Sequence, residues 1–118
     1  MCNGLPATIV GTNSGEVITG TPGPDVIVAR GGNDVVFGRR GKDVICGGRG
    51  HDKLFGQGGA DKLFGQRGAD KLFGQRGADK LFGEDGNDVM RGGVGNDSCA
   101  GGTGYDAAFG CETKTSVP

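Results

Sequence analysis

Ten aspartates recur along the chain at intervals of nine residues, and each of them follows a glycine by two positions. Carboxylates that lie close together repel one another unless a cation neutralises them. A catalytic carboxylate pair would be singular rather than periodic, so the spacing favours a repeated binding site over an active site. The ten residues are Asp25, Asp34, Asp43, Asp52, Asp61, Asp70, Asp79, Asp88, Asp97 and Asp106.

The aspartates belong to a nine-residue repeat that covers 20–109 in ten copies without an insertion. The copies that start at Gly65 and Gly74 both read GQRGADKLF. Position one is Gly in every copy except the one starting at Ala29, position four is always Gly, position six is always Asp and position eight is apolar. A fixed short period of this kind predicts a solenoid.

Each repeat divides into a turn and a strand. Lys71-Leu72-Phe73 suits a short strand with Leu72 pointing inwards, because alternate strand residues face opposite sides. The preceding 65–70 suits a turn in which glycine at positions one and four allows a positive φ. Two turns and two strands, or two repeats, make one coil, and equivalent residues of successive coils stack about 4.8 Å apart. We therefore predict an all-β parallel β-helix solenoid with two repeats per coil and a narrow core.

Stacking of every second repeat predicts two columns of aspartates, one on each edge of the solenoid. Carboxylate and carbonyl oxygens are the ligands that Ca²⁺ prefers, and adjacent turns of a column would share one ion. A turn-forming role for each Asp is the alternative, but ten residues in register favour calcium. The first column contains Asp25, Asp43, Asp61, Asp79 and Asp97, and the second contains Asp34, Asp52, Asp70, Asp88 and Asp106.

Composition excludes several other classes of protein. Gly accounts for 28 of 118 residues and aromatic residues for 6%, so a conventional globular core would be thin. The strict placement of Gly, Asp and an apolar residue argues against a disordered linker. No apolar stretch approaches the ~18 residues of a membrane span. His51 is the one histidine, which excludes a Cys/His zinc cluster, and no nucleic-acid-binding motif or catalytic constellation is present.

The repeat resembles the RTX (repeats-in-toxin) nonapeptide, Gly-Gly-x-Gly-x-Asp-x-apolar-x, of the hemolysin-type calcium-binding proteins. The resemblance covers 20–109 and implies a right-handed parallel β-roll that binds several Ca²⁺ ions, up to about eight. It also implies that each ion takes the Asp carboxylate and two turn carbonyls from one turn and the same set from the turn one coil later. One such ion would use Gln57 O, Gly59 O and Asp61 with Gly74 O, Arg76 O and Asp79.

The carbonyl ligands implied by the resemblance come mainly from glycines of the turns. Those at position four are Gly23, Gly32, Gly41, Gly50, Gly59, Gly68, Gly77 and Gly86. Those at position one are Gly38, Gly47, Gly56, Gly65, Gly74, Gly83, Gly92 and Gly101. Glu16, which lies two repeat lengths before Asp34, is a candidate for a further, weaker site.

The charge balance leaves an alternative open. The net charge is −1, and each GQRGADKLF repeat carries an Arg and a Lys against one Asp. Arg67, Arg76 and the lysines would then neutralise the aspartates without metal. In that case the chain is a duplicated or engineered repeat scaffold, an interaction module that binds a partner or self-associates through exposed ladders. Those ladders would consist of Phe37, Phe55 and Phe73 on one sheet and Phe64 and Phe82 on the other, beside lysines.

The two ends of the chain predict caps on the solenoid. Segment 1–19 continues the repeat in degraded form, and 110–118 forms a C-terminal cap and tail. The four cysteines lie towards the ends, and we predict the disulfides Cys2–Cys46 and Cys99–Cys111. Paired cysteines in a small, thin-cored chain indicate an oxidising compartment. We therefore expect a non-catalytic, secreted, calcium-binding β-roll whose folding depends on Ca²⁺.

Overall fold

The computed structural model describes residues 2–115, which form short strands and no helix. One sheet has seven strands: β1 (Ile9–Val10), β3 (Val26–Val28), β5 (Val44–Cys46), β7 (Lys62–Phe64), β9 (Lys80–Phe82), β11 (Ser98–Ala100) and β13 (Thr113–Thr115). The other has six: β2 (Val17–Thr19), β4 (Val35–Phe37), β6 (Lys53–Gln57), β8 (Lys71–Gln75), β10 (Val89–Arg91) and β12 (Ala107–Phe109).

The chain alternates between the two sheets, so neighbouring strands of one sheet come from every second repeat. Lys62 pairs with Lys80 and Leu54 with Leu72, and all these pairings are parallel. Two turns and two strands therefore make one coil, and about six coils stack into a β-solenoid. The predicted fold class is confirmed.

The core is a single column of apolar side chains between the sheets, to which each of the strands β1 to β12 contributes one. Leu54, Leu63, Leu72 and Leu81 are completely buried, whereas the lysine before each of them is exposed. Alternation along a three-residue strand explains both observations, because successive side chains point to opposite faces.

Glycine at position one has a different role from the one predicted. Positive φ occurs at position four, as expected, and at position two, for example 70° at Gln66, but not at position one. A Cβ on the position-one residue Gly65 would lie 2.7 Å from Asp70 Oδ2 and 3.0 Å from Gly83 O in the next coil. Glycine is therefore favoured at position one because of space, not because of backbone conformation, and Ala29 is the one residue with a side chain at this position.

Two disulfides lie near the ends of the stack, and both pairings match the prediction. Cys2 bonds Cys46 across a Cα–Cα distance of 5.8 Å, and Cys99 bonds Cys111 across 5.9 Å. The degraded N-terminal repeat provides β1 and β2, as expected. The C-terminal segment, predicted to be a polar tail, instead adds the strand β13 to the sheet beside β11.

The outer faces of the sheets carry the predicted aromatic ladders. Ring centroids are 5.0 Å apart between Phe37 and Phe55 and 4.7 Å apart between Phe55 and Phe73. On the opposite sheet, Phe64 and Phe82 stack at 4.8 Å. The five rings are half-buried, because neighbouring rings of a ladder cover one another.

Candidate metal centre

The aspartates stack in the two predicted columns, one inside each turn edge of the solenoid. Their side chains are almost completely buried, with 1% of the surface exposed at Asp52, Asp61 and Asp70. In each column, the backbone N–H of one Asp donates a hydrogen bond to Oδ1 of the equivalent Asp one coil later. The bond from Asp52 N–H to Asp70 Oδ1 is 2.8 Å long. One oxygen of each of these carboxylates thus joins successive coils.

Within residues 2–115, the second carboxylate oxygen, Oδ2, has no hydrogen-bond partner in nine of the ten aspartates. Each of these atoms is buried, and a buried unpaired acceptor is rare in folded proteins. An uncompensated carboxylate in such a place requires either a proton or a cation. The nine residues are Asp34, Asp43, Asp52, Asp61, Asp70, Asp79, Asp88, Asp97 and Asp106.

In six of these nine turns, a carbonyl oxygen of the next coil approaches the same position-one glycine as the unpartnered Oδ2. The position that a Cβ would take on Gly38 is 2.8 Å from Asp43 Oδ2 and 2.9 Å from Gly56 O of the next coil. The same pair of oxygens lies beside Gly47, at 2.8 Å from Asp52 Oδ2 and 3.0 Å from Gly65 O. Absence of a side chain at position one therefore lets a carboxylate oxygen and a carbonyl oxygen from successive coils converge.

The conformation at position two decides whether Oδ2 finds a partner. All nine turns with an unpartnered Oδ2 have a positive φ at position two, including six non-glycine residues. These six are Arg30, Arg39, Gln57, Gln66, Gln75 and Glu84. A non-glycine residue in this region costs roughly 1–2 kcal/mol. Such strain is typical of functional sites, where the surroundings impose it.

The two turns without a positive φ at position two satisfy their own acidic side chain. The Thr21 N–H donates to Asp25 Oδ2 at 2.7 Å, and the Thr21 hydroxyl donates to Oδ1 at 2.9 Å. In the degraded repeat before it, the Thr12 N–H donates to Glu16 Oε1. The Glu16 N–H still donates to Asp34 Oδ1 at 3.0 Å, so this turn joins the column through its backbone.

Burial raises the pKa of the eight column carboxyls from Asp34 to Asp97, because desolvation disfavours the charged form. The hydrogen bond from the preceding Asp N–H opposes this rise, and the negative charge of neighbouring column carboxylates adds to it. The pKa rises to about 8 at Asp61 and Asp70. It rises to about 7 at Asp43, Asp52, Asp79 and Asp88.

Charge pairing with basic side chains, the alternative source of neutralisation, is not found within residues 2–115. Asp70 Oδ1 accepts the Asp52 N–H and Oδ2 has no partner, so neither Arg67 nor Lys71 hydrogen-bonds this carboxylate. In the same part of the chain, no three His, Cys, Asp or Glu side chains cluster around one point. A cation in either column would therefore need backbone carbonyls as well as carboxylates.

The carbonyls of the turns differ in their hydrogen bonding. The position-one carbonyls, such as Gly56 O, converge with the unpartnered Oδ2 atoms. The position-two carbonyl of Gln57 accepts the Arg76 N–H at 3.2 Å, which occupies one of its two lone pairs. In the position-four row, the Gly23 carbonyl lies 2.9 Å from where a Cβ on Gly41 would be. This row therefore points along the stack towards the next coil.

Sequence reasoning missed the residue that ends the first column. Glu112 Oε1 accepts the Asp97 N–H at 3.0 Å, the bond that the next Asp of the column would otherwise accept. The sequence signal for this role is an acidic residue directly before the strand β13. It does not fit the repeat period, because Glu112 lies closer to Asp97 in sequence than two full repeats. His51 is exposed, and its Nδ1 accepts the Ala69 N–H at 2.9 Å.

A comparison with protein families identifies the repeat. The model of the RTX calcium-binding nonapeptide repeat, which spans four copies, matches 10–45, 41–72 and 73–107. The chain belongs to the RTX calcium-binding repeat family. Its repeats combine a parallel solenoid with a regular series of buried carboxylates. None of the curated proteins compared with this RTX chain matches it. Within residues 2–115 there is no helix long and apolar enough to cross a membrane.

Proposed function

We propose that this chain is a non-catalytic calcium-binding β-roll whose folding is coupled to Ca²⁺. The nine buried Oδ2 atoms without a partner are the observation that supports it most directly. Hard oxygen donors from carboxylates and carbonyls are the donors that Ca²⁺ takes, and its flexible coordination tolerates a site shared between turns. When bound, the ions would supply the positive charge that the columns lack.

The ligands that we propose are aspartates of adjacent coils together with position-one and position-four carbonyls of the same turns. Asp61 and Asp79, with Gly59 O and Gly74 O, would hold one such ion. The pair Asp25–Asp43 is left out because Thr21 already satisfies Asp25. The remaining adjacent pairs give about seven ions, four in the second column and three in the first, fewer than the eight expected from the sequence. Glu16 is left out for the same reason as Asp25.

Calcium-coupled folding follows from the electrostatics of an empty column. Ionised carboxylates buried at successive coils repel one another, so the folded state without metal is destabilised. Binding to the folded state alone would then stabilise it in proportion to the logarithm of the calcium concentration. We propose that 20–109 forms the calcium-binding roll, with 1–19 and 110–118 as caps, and that the protein works outside the cell. Two disulfides support this location.

The test is far-UV circular dichroism of the full chain in excess chelator and then in millimolar Ca²⁺, with disulfides intact. We expect a largely unfolded spectrum in chelator and a cooperative gain of β structure on adding calcium. Calorimetric titration would give the number of ions. A β spectrum that does not change in chelator would contradict the coupling.

A second candidate function is self-association through the Phe ladders. Stacked, half-buried rings on both outer faces favour it, because such apolar rows are a surface on which a second copy can pack. Sedimentation of the wild type and of Phe55→Ser/Phe73→Ser in calcium tests it. A monomer for both proteins would contradict it.

A further inference from the structure

A notch in the turn edge that contains the first Asp column has no role in the proposed calcium sites. It has a volume of about 440 Å³ and is lined by Pro22, Arg39, Arg40, Gln57, Gly58 and Arg76. A shallower depression of about 380 Å³ continues it over Gln75 and shares three of these residues.

The notch exists because one repeat lacks a side chain at position three. On this edge, Arg40, Gly58 and Arg76 occupy position three of successive coils. A Cβ on Gly58 would meet only Arg40 Cγ, at 3.8 Å, and Arg40 Cα, at 4.0 Å, so the space above Gly58 is open. The backbones of Arg40 and Arg76 lie two coils, or roughly 10 Å, apart. That gap leaves room for a small group between two guanidinium-bearing side chains.

The electrostatics of the notch favour an anion. Arg39, Arg40 and Arg76 line it and are exposed, and no acidic side chain is part of its lining. The corresponding depression on the opposite edge, of about 310 Å³, has Arg49 and Arg67 but also Glu84 and Asp85. The same repeat therefore produces a depression with both basic and acidic side chains on one edge and a notch with only basic charged side chains on the other.

The floor of the notch is held in place by the backbone. Gln57 pairs with Gln75 at the extended ends of β6 and β8, and the Arg76 N–H donates to Gln57 O at 3.2 Å. Only the long arginine side chains need to be ordered when a ligand binds. A site with a fixed floor loses less entropy on binding than a flexible loop would.

We propose that this notch binds a sulfate or phosphate group, with Arg39, Arg40 and Arg76 as donors. The planar guanidinium group matches the oxygens of such anions and can donate two parallel hydrogen bonds to them. The group is either a free inorganic anion or an ester on a carbohydrate. This inference stands on the surface geometry and does not depend on where calcium binds.

Calorimetric titration of the full chain, in calcium buffer at physiological salt, with sucrose octasulfate and with inorganic sulfate tests the proposal. We expect one saturable site, weakened about tenfold by Arg40→Gln or Arg76→Gln. Arg67→Gln, on the opposite edge, is the matched control and should leave the affinity unchanged. Displacement of the sugar by millimolar sulfate assigns the notch to the free anion, and binding of the sugar alone assigns it to the ester.

Substitutions that fill the notch distinguish binding in a shaped site from binding by charge attraction alone. Gly58→Gln should weaken binding, and Gly58→Arg should also weaken it although it adds a positive charge. Residue 58 has no positive φ, so both variants should fold, which circular dichroism checks. Tighter binding by Gly58→Arg, an equal loss in Arg67→Gln and Arg76→Gln, or no binding of either probe would overturn the proposal.

Discussion

At the scale of single residues, nine of the ten column aspartates leave one carboxylate oxygen without a donor within residues 2–115. A buried unpaired acceptor costs about 1–3 kcal/mol, and more when it is charged. Thr21 shows that a turn of this chain can avoid that cost, since its N–H reaches Asp25 Oδ2. The nine other turns adopt a positive φ at position two and leave Oδ2 free. We infer that a cation restores the balance.

The substitution Asp70→Asn tests this inference at the centre of a column. In calcium we expect a loss of about 2–4 kcal/mol in the free energy of unfolding, because Asp70 would serve the ions on both sides of it. In chelator we expect no loss or a small gain, because the change removes a like charge between Asp52 and Asp88. Urea melts in the two buffers measure both effects.

The control for that experiment is Asp85→Asn. It changes an exposed turn carboxylate that accepts a hydrogen bond from the Thr103 hydroxyl. It should alter stability by less than about 0.5 kcal/mol in either buffer. Equal losses for Asp70→Asn with and without calcium would refute the metal role of this residue.

The pH dependence of the metal-free protein follows from the raised pKa values. A carboxyl with a pKa of about 8 in the folded state, as at Asp61 and Asp70, favours folding when it is protonated. That contribution is complete below the ordinary pKa of about 4 and is lost as the pH rises through 7–8. In chelator, the β signal in circular dichroism should therefore be stronger at pH 5 than at pH 9. The opposite order would contradict it.

At the scale of elements, the period determined more of the structure than the residue types did. Strand positions and the stacking of every second repeat followed from the spacing of Asp and of the apolar residue, because both must recur on one side of every coil. The positive φ at Gln66 and its equivalents could not be predicted from residue type, since a non-glycine residue rarely adopts it. The strand β13 was missed because its residue Thr113 pairs with Ser98, which is closer in sequence than two full repeats.

The first turn of the roll offers a test of the role of position two. In Thr21→Gly, residue 21 can adopt the positive φ that Gly48 has at the equivalent position. The substitution also removes the hydroxyl group that donates a hydrogen bond to Asp25. We expect the calcium stoichiometry to rise by one, because Asp25–Asp43 becomes an open pair. Calorimetric titration measures the change, and Thr103→Gly, in the last repeat, is the control that should leave it unaltered. An unchanged stoichiometry in Thr21→Gly would refute the link.

At the scale of the whole molecule, the solenoid is a stack in which each coil pairs with its neighbours. Stability in such a stack is approximately a sum of coil and interface contributions, so coils can be exchanged or removed. The three repeats that span 56–82 differ at one position only, which is Gly58 in the first and an arginine in the other two. The central coils are therefore nearly interchangeable, while the disulfides and the degraded repeats distinguish the ends.

Deletion of 57–74 tests that modularity. It joins Gly56 to Gln75 and recreates an intact GQRGADKLF repeat with both disulfides outside the excised coil. We expect a folded roll that is about 4.8 Å shorter and binds two fewer ions, one from each column. Small-angle scattering and calorimetric titration check the length and the stoichiometry. A protein that fails to fold in calcium would show that the coils are not independent.

The hydrogen bonds along the Asp columns also indicate an order in which the coils are completed. Each Asp N–H donates forwards, to the carboxylate one coil nearer the C-terminus, so every coil is completed by its successor. A ribosome makes the N-terminal coils first. Whenever the chain folds, the donors of each coil therefore stay unsatisfied until the next coil forms, and in the first column Glu112 provides the last acceptor. The short, irregular C-terminal segment therefore completes the hydrogen bonding of the first column.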